Sequence, residues 1–526
     1  MQYKNFLKGL SLCVVLMTAF TCTPVLRDKK ITSAGAGEIK ENWTLRNVEI
    51  SDDQVIMDSD DAVVISKFTV RNFDLKMKLK TTPGAEGSLA FHTTVAGGAV
   101  ASDTPAPAGY SAAPAGHSTA PAGHSASPAG HSAAPAGHSP KGYSVFINNS
   151  DYRSGNPQKT GSLSLIRNFY VRQADDNEWF DLGVSVRGNH ITVTVNDRIV
   201  SEYYEPESPL RLPGLEGMIL SGGRIVLVKS GDLGSILIGS ITVEGLPDDI
   251  PHKPYDFETA DEVAEQLTLL NQEGFPVIDY HGHLKAVISF DQIAKYGRDH
   301  GFNYGISENC GLNFPVTDDV SLLAFYDEVI AEPVFKAMQC EGREWVTLFS
   351  PEYIAKFDYI FTDALTFSDH RGRRMRLWIP GEVIVEDEEQ FMDMLVDKIL
   401  AILSQEPVDI YVNPTFLPAV INHKYDQLWT DERMDLVIDA LVENDVALEI
   451  NARYRIPGIE FVRKAKAAGV KFTLGTNNAG AHDLGRLEYC IEVIRETGIT
   501  PDDMFRPRPA GQKKVSFMGL PEEITG

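Results

Sequence analysis

The sequence predicts two structural units in series, an antiparallel β-sandwich and then a parallel β–α domain, on three observations. Between about Asn42 and Val243, short runs alternating apolar and polar residues follow one another with polar turns between them, the period of strands buried on one face. Beyond Pro254 strand-like apolar runs alternate with amphipathic helical windows, the order required when parallel strands are joined by crossover helices. Those later runs end in residue types that bind metals or move protons, beginning with VIDYHGHLK at Val277–Lys285.

Length and charge set the frame. A chain of 526 residues with 43% hydrophobic content buries more than one core, and two to four domains are expected. Its formal net charge of −25 repels nucleic-acid phosphates and anionic lipid, so neither is an expected partner, whereas neutral sugars are easily accommodated. Residues 1–22 read as an export signal: Lys4 and Lys8 precede an apolar core, Gly9–Phe20, too short to span a bilayer. AFTC ending at Cys22 resembles a bacterial lipoprotein signal, which implies lipidation of that cysteine and an exported cell-envelope protein, periplasmic or outer-membrane attached. Simple secretion is the alternative, and a lipid anchor is the one membrane contact expected. After Cys22 only Cys310, Cys340 and Cys490 remain, widely spaced and odd in number, so no disulfide framework is expected.

The remaining chain divides into a linker at 23–40, the sandwich at 41–246, a second linker at 247–256, the β–α domain at 257–508 and a tail at 509–526. Sandwich strands are read in DQVIMDS, AVVISKFTV, FDLKMKLKT, GSLAFHTT, YSVFINN, GSLSLIRN, RIVLVKS and GSILIGSITVEGL, with NHITVTVND as the clearest hairpin. Into them is spliced a low-complexity insertion, about 101–140, repeating PAGHSAA with His117, His124, His131 and His138 in register. Pro and Gly in every unit rule out a coiled coil, and the lack of apolar bulk predicts an unstructured loop.

The motifs FDLKMKL, GSLAFH, GYSVFINN, TGSL and WFDLGVSVRGNHITVTVND resemble the concanavalin-like jelly roll of the 3-keto-disaccharide hydrolase family, also called family-16-like. The resemblance implies a carbohydrate-related module. Where family members carry an acidic residue and a glutamine, this chain has Ser144 and Phe146. Without a carboxylate to move a proton there, glycan binding or a structural role is expected rather than chemistry.

In the second unit the strand-like runs are FPVIDY, FNYGIS, PVFKAMQ, FDYIFTD, VDIYVNP, VALEINA and KFTLGTN. Seven β–α units predict a parallel barrel or wound sheet, with chemistry at the C-terminal strand ends. Those ends carry His281 and His283, then Glu308 and Asn309, Glu341 and Glu344, Asp363, Asn413, Glu449 and Asn451, and finally Asn477, Asn478, His482 and Asp483.

DYHGHLK, ALEIN and KFTLGTNNAGAHDLG, set on seven strands over about 270–500, resemble the polymerase and histidinol phosphatase (PHP) superfamily. That resemblance implies a (β/α)7 barrel with metal-dependent hydrolase activity. It places His281 and His283 as metal ligands, with Glu341, or else Glu344, in the glutamate role and His482 partly substituting from a shifted position. Asn309, Asn413 and Asn477 stand where family histidines or acids would be. A neutral amide carbonyl offsets no cationic charge, so one divalent metal at most, Mn²⁺, Zn²⁺ or Mg²⁺, is expected, with Glu308 or Asp363 as base for its bound water.

FTDALTFSDHRGRRMRLWIPGE supplies the expected substrate contacts. Guanidinium forks at Arg371, Arg373 and Arg374 suit carboxylates or phosphates, Trp378 suits a sugar face, and Asn413, Asn451 and Asn477 offer amides to hydroxyls. The leading expectation is an exported metal-assisted hydrolase of a carbohydrate or related polar small molecule. Its rivals are a non-catalytic carbohydrate-binding envelope protein with a degenerate barrel, and 3-keto-glycoside hydrolysis or lysis in the sandwich.

Overall fold

A computed structural model describes residues 23–94, 141–150, 157–253, 262–285, 288–509 and 511–517. The export signal with Cys22 and the PAGHSAA insertion lie outside them. Among the described residues no helix is long and apolar enough to cross a membrane.

Two antiparallel sheets form the first unit. One has eight strands, running in order Arg198–Tyr204, His190–Val195, Trp179–Arg187, Phe73–Thr81, Ile236–Gly245, Gln54–Met57 and Glu49–Ser51, with Lys29–Ala34 also paired to Ile236–Gly245. The other orders Trp43–Arg46, Val63–Ser66, Arg224–Ser230, Glu86–Thr93 and Tyr143–Ile147. Alternation drives their stacking: Phe73, Leu75, Met77 and Leu79 share one face of FDLKMKLKT and join Leu89, Phe91, Val145 and Leu227 in a single core. Each such side chain fully buried stabilises the fold by about 1.5–3 kcal/mol. The NHITVTVND hairpin closes through Asn196 and Asp197, both at positive φ, the conformation a two-residue turn between twisted strands demands.

The sandwich reaches further than its expected limits. Residues 23–40 are not a linker, since Lys29–Ala34 is a sheet strand and Gly35–Asn42 a helix against it. In the second expected linker, Lys253 N donates to Asn189 Oδ1 at 2.9 Å and holds that segment against the sandwich.

The second unit is a closed barrel of seven parallel strands: β1 (Ile278–Gly282), β2 (Asn303–Gly311), β3 (Phe335–Glu341), β4 (Tyr359–Thr362), β5 (Ile410–Tyr411), β6 (Ala447–Asn451) and β7 (Phe472–Gly475), which pairs back with β1. Its connections are less regular than seven equal units. Only two four-residue helices lie between β3 and β4, while a hairpin, Thr366–Ser368 with Arg374–Arg376, precedes the long helix Glu388–Gln405 before β5. Part of the expected tail is docked as well, with Lys514 Nζ donating to Val408 O at 2.9 Å.

GSLSLIRN, read as a strand, is instead a compact turn. Leu165 adopts positive φ and its N–H is held by Asn168 Oδ1 at 2.9 Å, so the run folds back rather than extending. Leu163 and Ile166 stay in the sandwich core, while the next residues enter the barrel. Arg167 Nη1 donates to Thr268 Oγ1 at 2.9 Å, Asn303 Nδ2 to Asn168 O at 2.9 Å, and Tyr170 OH to Phe275 O at 3.2 Å. Tyr170 lies in one cluster with Tyr280, Tyr359, Phe361, Ile410 and Phe505. The sandwich thus plugs the N-terminal end of the barrel, the end opposite the strand termini that carry polar groups.

Candidate functional site at the barrel mouth

Position along each strand explains what reaches the mouth. Ala447, Glu449 and Asn451 alternate on β6, so the apolar residue lies deep and the acid and amide higher. On β1 the pairing with β2 slips between Asp279 and Gly282, and His281 is thereby brought against Phe361, ring centroids 4.7 Å apart. His281 and His283 do converge, at 5.3 Å between centroids.

The two histidines are held differently. His281 Nδ1 lies 2.6 Å from Glu449 Oε1, and because a carboxylate only accepts, the proton sits on Nδ1. Its Nε2 is buried with no hydrogen-bond partner. His283 Nδ1 lies 3.2 Å from Ser307 O, while Asn478 Oδ1 accepts its backbone N–H at 2.7 Å. Burial, followed by the neighbouring His281, pushes the His283 imidazole well below its usual range.

The acids are clamped by amides. Glu341 Oε1 accepts from Asn309 Nδ2 at 2.7 Å and Gln339 Nε2 at 3.1 Å, and its Oε2 accepts from Thr366 Oγ1 at 3.2 Å. Asp363 Oδ2 accepts from Asn413 Nδ2 at 2.8 Å, and Oδ1 from Leu365 N at 2.9 Å. Glu449 Oε2 takes Asn413 N at 2.7 Å and Asn451 Nδ2 at 3.0 Å. Asn451 and Asn477 both donate to Asn413 Oδ1, at 3.0 and 2.9 Å. Three expected sugar-facing asparagines therefore spend their polar groups on one another and on acids. Burial, then the charge of Asp363, pushes Glu341 well above the carboxylate range; burial pushes Asp363 up to about 6 against the amide and backbone donors that hold it down.

Other expected site residues fall elsewhere. His482 is 79% exposed and its nearest acid is Asp483 at 3.9 Å, so it is no ligand alongside the buried pair. Glu308 is half-buried and its Oε1 accepts the N–H of Asn309 at 2.9 Å. Arg371 forms a bidentate pair with Glu386, both contacts 2.9 Å; Arg373 pairs with Asp369 at 2.6 Å; and Arg374 is bonded to Glu344. Their forks are already engaged, which is the bracing of an exposed hairpin rather than a clamp for substrate. Trp378 is exposed beside that hairpin. Cys310, Cys340 and Cys490 are free and buried.

The residues do not make the expected metal centre. Among the described residues no three His, Cys, Asp or Glu side chains are grouped so as to hold a metal ion, and a structural or catalytic zinc site takes at least three protein donors. Two contacts go beyond the sequence reading: Glu449, expected only as a polar strand-end residue, orients His281, and Gln339 is a further donor to Glu341. Their inward positions two residues before Asn451 and Glu341 were the only signal.

Residues 32–233 match the model of the 3-keto-alpha-glucoside-1,2-lyase-like domain. The N-terminal unit is therefore similar to a carbohydrate-related hydrolase or binding domain of jelly-roll type. No curated protein matches the chain. Among solved structures, histidinol phosphate phosphatase from Lactococcus lactis aligns at 12% identity and TM-score 0.31, over 44% of this chain and 100% of its own. A Parabacteroides distasonis protein provisionally described as a glycosyl hydrolase aligns at 10% identity and TM-score 0.29, over 39% and 89%. The carbohydrate binding module CBM66 from Bacillus subtilis aligns at 12% identity and TM-score 0.21, over 41% and 99%.

Proposed function

We propose that the protein is a carbohydrate-directed hydrolase in which the sandwich engages the sugar and the barrel mouth carries the reaction. The observation that carries the catalytic half is the His281–Glu449 couple: one ring nitrogen is fixed on a buried carboxylate at 2.6 Å and the other is left without a partner. That is the arrangement of an oriented base. Asp363, at about 6, is ionised at neutral pH and offers a second base, while burial and the charge of Asp363 shift Glu341 towards its protonated form. Trp378, exposed on its loop, is free to stack on a sugar ring. Export and lipid attachment at Cys22 belong to the same reading and rest on residues 1–22.

The carbohydrate half is supported by the match over 32–233. Lyase or hydrolase chemistry within the sandwich is not part of this proposal, because Ser144 and Phe146 offer no carboxylate at the positions concerned. Burial of His281, Glu341, Asp363 and Glu449 favours a second reading, a glycan-binding protein whose barrel is a scaffold. Turnover of a panel of glycosides by the full chain separates the two. Hydrolysis lost in His281→Ala and Asp363→Asn but retained in Arg371→Ala is the expected result; turnover insensitive to both substitutions at the mouth would sink the catalytic assignment.

A further inference from the structure

A cluster of buried carboxylates is usually stabilised by a cation, and here each has found something else. Glu341 takes the amide of Asn309 at 2.7 Å, Asp363 that of Asn413 at 2.8 Å, and Glu449 that of Asn451 at 3.0 Å. Every one of these donors is the Nδ2 of an asparagine on a barrel strand or at its C-terminal end. The bonds of Asn413 and Asn451 are buried and that of Asn309 is part-buried, and losing one of the buried bonds leaves an acceptor unsatisfied at a cost of about 1–3 kcal/mol. An N–H aimed at a carboxylate oxygen also occupies the direction from which a metal would approach. The two histidines remain, and two imidazoles alone are too few for a resident zinc ion.

We propose that the amides of Asn309, Asn413 and Asn451 hold the carboxylates of this barrel mouth in place of a metal, leaving Nε2 of His281 as a metal-free acceptor for a water or a substrate hydroxyl. A buried, unpartnered ring nitrogen is the second observation pointing to a ligand, because such atoms in native proteins are satisfied by an ordered water or a bound group. With Nδ1 engaged by Glu449, Nε2 is the ring nitrogen left to meet a water or a hydroxyl. The O–H acceptor role rests on the barrel mouth being the reacting site; exclusion of metal does not.

The test uses the full chain, stripped with chelator and equilibrated with Zn²⁺ alone, and measures bound zinc against the His281→Ala/His283→Ala variant. The repeat histidines His117, His124, His131 and His138 are common to both and cancel. Equal zinc in the two proteins is expected; one further equivalent in the wild type would overturn the proposal. Should the double variant not fold, His283→Asn serves as comparator. Conversely, Asn413→His, at a positive-φ position that histidine also adopts, is expected to gain one zinc equivalent, and Asn309→His is the second variant for that gain. If neither gains zinc, the amides are not what keeps metal out and the proposal fails. Neither arm measures turnover, so a failure of the carbohydrate reading is recognised separately, by the glycoside panel.

Discussion

The two ends of the barrel are built from the same seven strands yet solve opposite problems. At the N-terminal end, Tyr170 from the sandwich joins Tyr280, Tyr359 and Phe505, and stability there comes from aromatic area removed from water. At the mouth, acids, imidazoles and amides are buried together, and hydrogen bonds among them and from neighbouring backbone and hydroxyl groups offset their desolvation. The first end gains from burial while the second pays for it. Such an imbalance supports the proposed site, because natural proteins are expected to depart from cheap packing where chemistry or recognition uses the departure.

Four substitutions break or sharpen that contrast. Tyr170→Ala removes a large side chain from the apolar end and is expected to cost about 3–5 kcal/mol, read as a shift in the denaturant midpoint. Because Tyr170 belongs to the sandwich chain, barrel and sandwich signals should fall together. Asp363→Asn probes the polar end through pH. The folded carboxyl titrates at about 6 against an ordinary 3.8, so between those values the folded state holds more proton than the unfolded one. Wild-type stability relative to the variant should therefore fall as pH rises through this window, by up to about 3 kcal/mol, and stay level above it. Denaturation at a series of pH values checks this, and a flat difference would contradict it. Asn413→Ala deletes one donor and an acceptor shared by Asn451 and Asn477, with an expected loss of about 1–3 kcal/mol and a higher apparent pKa for Asp363. Arg371→Ala removes an exposed ion pair and is expected to change stability by less than about 1 kcal/mol, with turnover unaffected.

The period-two runs of the first unit and the seven strands of the second are legible in the sequence, because hydrophobic alternation and β–α rhythm are local properties. So is the convergence of His281 with His283, which follows from i, i+2 spacing at a strand end, although the slip on β1 that sets their depth is not. GSLSLIRN shows the limit: its alternating Leu and Ile suit a strand, and the turn is closed by Ile166 N–H and Arg167 N–H donating to Leu163 O and by Leu165 N–H donating to Asn168 Oδ1. The arginine hairpin misleads for a similar reason. Arg371 and Arg374 find Glu386 and Glu344, partners 15 and 30 residues away, and nothing in the loop itself announces that its charges are already neutralised. At the mouth, the asparagines are visible at positions where ligands are expected, but the direction of their Nδ2 atoms is a property of three different strands at once.

The attachment through Arg167, Asn168 and Tyr170 also fixes an orientation. The sandwich sits on the pole of the barrel remote from His281, so the mouth opens on the side that the sandwich does not cover. On the proposed reading, that placement suits tethering to an extended glycan at one pole while a separate stretch, or a separate molecule, is addressed at the other.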